Sequence, residues 1–120
     1  MARILIVDDA AFARLAMVKM LSEIGHEAVA QAENGVKAIE MYKAYKPDIV
    51  LMDITMPDMD GIEAVRAIKA EDAAAKIIMV SAMGQQQKVF ESIAAGAVDF
   101  IVKPAQKDQL KASIEKNLAL

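Results

Sequence analysis

Ile4-Leu5-Ile6-Val7-Asp8-Asp9 and Ile49-Val50-Leu51-Met52-Asp53 each run four apolar residues straight into carboxylates. Apolar runs without alternation read as strands buried on both faces, the condition inside a parallel sheet covered by helices. Ile77-Ile78-Met79-Val80 is a third run of this kind. Working outward, strands are expected at residues 3–7, 28–31, 48–52, 76–80 and 99–102, with helices between them. In the first intervening stretch Ala13, Ala16, Met17, Met20, Leu21 and Ile24 recur at helical spacing as one apolar face, and Gly25 stands where a C-terminal cap belongs. Further helices are expected over residues 35–45, stopped before Lys46-Pro47, and after Gly61, with Ile62, Val65 and Ile68. Two more are expected over 85–95, ended by Gly96, and over 106–118, with Leu110, Ile114 and Leu118 on one stripe. The Ala73-Ala74-Ala75 run reads as a helix tail or loop before the fourth strand.

Composition narrows the function classes. The 120 residues read as one domain, 1–120, long enough to bury a core without disulfides, and there is no cysteine to form one or to bind zinc. Net charge is −3, which disfavours phosphate-mediated nucleic-acid binding. Three Phe, two Tyr and no Trp leave little to stack planar ligands such as flavins or unpaired bases. Hydrophobic residues make up 56%, but 23 of them are alanine, and no run approaches the ~20 residues of a membrane span. Residues 1–7 are too short for a signal peptide before Asp8 and Asp9. A soluble, cytoplasmic monomer is expected, with the nine methionines serving mainly as core filler.

Five strands alternating with five helices, joined by right-handed crossovers, make an α/β doubly wound (βα)5 fold with a parallel sheet. In flavodoxin-like order, 2-1-3-4-5, the first and third strands are neighbours at the switch point where open sheets bind ligands. Asp8, Asp9 and Asp53 then converge in one crevice, joined by Ser81 after the fourth strand and Lys103 after the fifth. Adjacent carboxylates repel unless a cation sits among them. Lys103 is one source of charge, and a hard divalent ion such as Mg²⁺ suits a site of carboxylates, a main-chain carbonyl and water. A carboxylate so held can act as a nucleophile toward phosphorus and form an acyl phosphate. Asp53 is placed for that role, with Lys103, Ser81 and backbone N–H groups around the phosphoryl oxygens.

Ile4–Asp9, Asp53-Ile54-Thr55-Met56-Pro57-Asp58-Met59-Asp60-Gly61, Ser81-Ala82-Met83 and Lys103-Pro104 together resemble the signature of the response-regulator receiver domain. The likeness covers nearly the whole chain. Asp8-Asp9-Ala10-Ala11-Phe12 and the Ser81–Gln86 stretch are most similar to single-domain chemotaxis regulators of thermophilic and Gram-positive bacteria. The resemblance implies Asp53 as phosphoacceptor, and Asp8, Asp9, Asp53 and the Thr55 main-chain carbonyl as Mg²⁺ ligands. It implies Ser81 and Phe100 as the switch pair, Lys103 as the lysine contacting the acceptor, and a cis peptide before Pro104. Thr55 and Met83 are expected to flank the path of attacking water and so to tune the phosphoryl lifetime. Neither is a general base, so self-dephosphorylation is expected to be slow. The family usually has Phe after Lys-Pro, where this chain has Ala105.

The implied function is a two-component switch that catalyses only its own phosphorylation and dephosphorylation. A CheA-type histidine kinase would be the donor, a FliM-type flagellar switch protein the target and an auxiliary phosphatase a further partner. The chain ends just after the fifth helix, so output is expected through protein contact, with Val89, Phe90 and Ile93 spanning too wide an arc to be all core. A phosphorelay intermediate, or a receiver cut from a longer regulator, is the alternative. A haloacid-dehalogenase-type phosphatase would carry a second Asp where Thr55 stands. A flavodoxin-like cofactor binder would need a phosphate loop where Asp8-Asp9-Ala10-Ala11 stands. His26 reads as a surface turn residue, Phe12 as a packing residue, and Gly61 as a helix start with an unusual backbone angle.

Overall fold

The computed structural model describes residues 1–119. Strands β1 (Arg3–Val7), β2 (Glu27–Ala32), β3 (Ile49–Met52), β4 (Ile77–Ser81) and β5 (Asp99–Val102) alternate with helices α1 (Ala11–Glu23), α2 (Gly35–Tyr45), α3 (Gly61–Glu71), α4 (Gln86–Ala95) and α5 (Lys107–Leu118). The sheet is parallel throughout, in the order β2-β1-β3-β4-β5. The α/β, flavodoxin-like arrangement expected from the sequence is the one observed, with strand limits shifted by a residue at β2, β3 and β4.

Strand residues alternate between two cores. Leu5, Val7, Val50, Met52, Ile77 and Met79 face a layer that includes Ala38 of α2 and Ile62, Val65 and Ile68 of α3. Ile4, Ile6, Ile49, Leu51, Ile78, Val80 and Ile101 face Leu21 of α1 and Leu110 and Ile114 of α5. Every residue of β3 and β4 is buried, which is why these strands read as unbroken apolar runs. Among the described residues no helix is long and apolar enough to cross a membrane.

Glycines end two helices in the left-handed region, Gly25 at φ 87° just past α1 and Gly96 at φ 119° as the cap of α4. Gly61 differs from expectation. Its φ is not positive; it is glycine because a Cβ there would lie 1.8 Å from the Asp53 carbonyl oxygen. Two further expectations fail on packing, at Leu118 and His26, and one on α1 holds only in part. Leu118 is 37% exposed, because the inner stripe of α5 runs Leu110, Ser113, Ile114 and Asn117 instead. On α1 the expected face holds in the main, with Leu21 buried and Met17, Met20 and Ile24 partly buried against the core, but Ala16 is exposed and the helix stops before Ile24. His26 is buried, with its N–H donating to the Leu21 carbonyl and its Nδ1 accepting from the Ala2 N–H, so the turn after α1 folds inward.

Candidate functional site

The carboxyl ends of β1 and β3 place the acids. Val7 pairs with Met52 in register, so Asp8 and Asp53 leave the sheet side by side. Asp53 is anchored by its N–H to the Val7 carbonyl at 3.0 Å, and its Oδ1 accepts from the Ile54 N–H at 2.7 Å. Each of Asp8, Asp9 and Asp53 offers an oxygen within 4.8 Å of the others. Asp8 is buried, Asp53 half-buried and Asp9 exposed. All three converge as the sequence predicts.

Lys103 completes the cluster from the end of β5. Its Nζ lies 2.6 Å from Asp8 Oδ2 and 3.0 Å from Asp53 Oδ2, and its N–H donates to the Ser81 carbonyl at 2.9 Å. Burial alone would lower the ammonium's pKa. The hydrogen bonds and charges of Asp8 and Asp53 together outweigh burial and hold it above the usual lysine value. The Lys103–Pro104 peptide is cis, as the resemblance implies. Lys103 balances only part of the negative charge. The remaining oxygens, including the solvent-facing Asp9 carboxylate, form an oxygen-rich set of the kind that suits a hard divalent cation.

Around this centre, Ser81 is buried at the end of β4, and its Oγ accepts from the Met83 N–H at 3.2 Å. Met83 also accepts from the Thr55 hydroxyl through its sulfur at 2.9 Å. The two residues expected to flank the path to Asp53 therefore touch each other. Phe100 sits opposite Met79 on β5 and packs partly buried against the α2–α3 side of the core. On α4, Phe90 is 70% and Ile93 47% exposed, with Val89 part-buried. The wide arc read from the sequence does include an outward apolar surface.

Phe12 departs from its expected packing role. It is 79% exposed at the edge of an open groove that runs along α1 to Pro104 and Ala105. Sequence reasoning also missed Arg14. Its Nη1 donates to the Asp8 carbonyl at 2.7 Å and its Nε to Gln31 Oε1 at 3.1 Å. The available signal was position: a helical side chain leans toward the N-terminus, so an arginine one turn into a helix that follows two acids points back at them.

Residues 4–115 match the response regulator receiver domain. The chain is 59% identical over 116 residues to the chemotaxis protein CheY of Bacillus subtilis, covering 97% of each protein. It is 53% identical over 114 residues to CheY of Thermotoga maritima, covering 95% of each. Among solved structures, a chain of the CheX-CheY-BeF3-Mg+2 complex from Borrelia burgdorferi superposes with a TM-score of 0.91 at 34% identity, covering 98% of this chain and 89% of that one. The match spans every element that carries the acid crevice, so the chain belongs to the response regulator receiver family and is a two-component signalling switch closely similar to the CheY chemotaxis proteins.

Proposed function

We propose that Asp53 accepts a phosphoryl group from a phosphohistidine, and that the phosphorylated form signals in chemotaxis by protein contact. The observation that carries this reading is the Lys103 ammonium bridging Asp8 and Asp53 beside the exposed Asp9. An Asp53 carboxylate oxygen attacks phosphorus. The P–N bond of the donor breaks, its electron pair leaves with the imidazole, and an acyl phosphate forms. Asp8, Asp9, Asp53 and the Thr55 main-chain carbonyl would hold Mg²⁺, which supplies charge neutralisation for the incoming group. Lys103 serves the same end from the other side.

Ser81 would then donate to a phosphoryl oxygen and give up the Met83 N–H, with Phe100 turning inward as its partner in the switch. Burial of an aromatic is worth roughly 1.5–3 kcal/mol, enough to bias two states a few kcal/mol apart. The readout surface would include Val89, Phe90 and Ile93. A CheA-like kinase as donor, a FliM-like target, an auxiliary phosphatase, a cytoplasmic location and a monomeric single domain over 1–120 complete the reading. The named relatives support the chemotaxis setting.

Acetyl phosphate with Mg²⁺ should add one phosphoryl group, read by intact mass, and chelator should prevent it. Asp53→Ala should abolish uptake; normal uptake by that variant overturns the assignment. Decay of the phosphorylated chain should be slow, and Met83→Glu or Thr55→Asn should change its rate. Unchanged decay in both removes the lifetime role of this pair.

A further inference from the structure

Asp8 engages each of its four polar positions. Its N–H donates to the Ala32 carbonyl at 3.0 Å, its Oδ1 accepts from the Ala10 N–H at 3.0 Å, and its Oδ2 accepts from Lys103 at 2.6 Å. The fourth position, the main-chain carbonyl, accepts from Arg14 at 2.7 Å. The first three bonds hold Asp8 to β2, to the start of α1 and to β5. The fourth holds the peptide that joins Asp8 to Asp9. Asp9 itself is exposed, and among the described residues its carboxylate has no partner.

We propose that Arg14 is a positioning residue for the acid cluster, its guanidinium fixing the Asp8–Asp9 peptide against β2 and so setting where both carboxylates stand. The fork is what makes this possible. Nη1 takes the Asp8 carbonyl while Nε takes Gln31 Oε1, and Gln31 is the β2 residue in register with Ile6. A planar guanidinium fixes these two acceptors relative to each other, and a lysine ammonium on a flexible stem does not. Arg14 thereby ties the end of β1, the first turn of α1 and the edge strand together just behind the acids. The Asp9 carboxylate, otherwise unsupported, inherits its direction from the peptide that Arg14 holds.

Charge and positioning predict opposite results, which makes the inference testable. As a mere cation near three carboxylates, Arg14 would weaken binding of a divalent ion, and its removal would tighten it. As a positioning group it strengthens binding, and even a charge-preserving Arg14→Lys should weaken it. The inference rests on reading the cluster as a Mg²⁺ site. MgCl₂ is titrated calorimetrically into the unphosphorylated full chain, its Arg14→Lys and Arg14→Gln variants, and Gln31→Leu. Groups that orient metal ligands typically contribute 10–100-fold in affinity. Both Arg14 variants should therefore bind about tenfold more weakly, with melting midpoints near that of the unaltered chain. Gln31→Leu, which removes only one leg of the fork, should lose about threefold, less than the range for loss of a whole orienting group. Uptake from acetyl phosphate should recover in the Arg14 variants at saturating MgCl₂. Unaltered affinity in Arg14→Lys, or tighter binding in Arg14→Gln, overturns the inference. Should the Arg14 variants fail to fold, unaltered affinity in Gln31→Leu overturns it instead. No Mg²⁺ binding by the unaltered chain overturns the metal reading itself.

Discussion

Helices α3 and α1 lie on opposite faces of one sheet, and they are held very differently. α3 buries Gly61, Ile62, Ala64, Val65 and Ile68, and starts with a capping box in which Asp60 accepts from the Glu63 N–H at 2.9 Å. α1 has no side-chain cap, buries only Leu21 fully, and exposes Phe12 at 79% and Leu15 at 65%. Beside it runs an open groove of about 440 Å³ that reaches Ala105. The two helices serve the two halves of the acid site. α3 presses its first residue against the backbone of Asp53, so the proposed acceptor sits on the closely packed side. α1 follows the Asp8–Asp9 turn, and its first turns, where Arg14 reaches back to the Asp8 carbonyl, are open to solvent. Stability and site geometry are thus coupled tightly on one face and loosely on the other.

The largest test of that contrast is Gly61→Ala. With the new Cβ 1.8 Å from the Asp53 carbonyl oxygen, backbone has to move. The cost should be about 4 kcal/mol or more, in the range reserved for gross steric conflict, and phosphoryl uptake should fall with it. Gly25→Ala is the comparison. Gly25 lies past the end of α1 at φ 87° with nothing within 4 Å of its Cβ position. It should cost only the left-handed backbone penalty of about 1 kcal/mol and leave uptake unaltered. Urea unfolding and intact mass after acetyl phosphate read both. Equal effects at the two sites would break the contrast.

Next in size is deletion of side chains. Ile68→Ala on α3, at 1% exposure, should cost about 3 kcal/mol through lost burial and the cavity left behind. Leu15→Ala on α1 should fall within about 0.5 kcal/mol. Asp60→Ala should cost about 1 kcal/mol through loss of the α3 cap. α1 offers no side-chain cap to remove. All three are read from denaturant midpoints, and a Leu15→Ala loss as large as that of Ile68→Ala would show that α1 packs more tightly than its exposed residues indicate.

The same contrast explains what the sequence could disclose. β1, β3 and β4 are legible because burial on both faces leaves no polar interruption, and the acids are legible because each ends a strand. α3 is legible as a helix through its cap and spacing. The inner face of α1 is legible in its second half, where Met17, Met20 and Leu21 meet the core, but not in its first turns. There Ala11, Phe12, Ala13, Leu15 and Ala16 are apolar nearly all round the helix, so periodicity could not mark Ala16 as exposed. Buried polar residues are also silent in the sequence. Ser92 is buried because its Oγ bonds the Lys88 carbonyl one turn back, and Ser113 because it reaches Asp99 at 2.6 Å. His26 is buried by contacts with Ala2 and Leu21 that only the fold creates. Arg14 went unread for a related reason, since its role depends on side-chain direction rather than residue type.

The smallest expected effect concerns Ala105, where the receiver family usually carries Phe. Ala105 packs partly buried against the α1–α5 core and lines the groove with Met17, Met20 and Pro104. Ala105→Phe places an aromatic ring in that open space. Complete burial of a Phe side chain is worth about 1.5–3 kcal/mol, and a groove open to solvent covers only part of the ring. Overpacking works against the gain, at about 1–3 kcal/mol where a core cannot yield. Here the facing side chains are methionines, which adapt readily to a new neighbour. The net result should be a stabilisation of about 0.5–1 kcal/mol, raising the melting midpoint by about 2–4 °C. Phosphoryl uptake should be unchanged, because Ala105 touches none of the acids. A lower midpoint would show that α1 is already seated against the sheet as firmly as α3, and that the groove is surface relief rather than unfilled core.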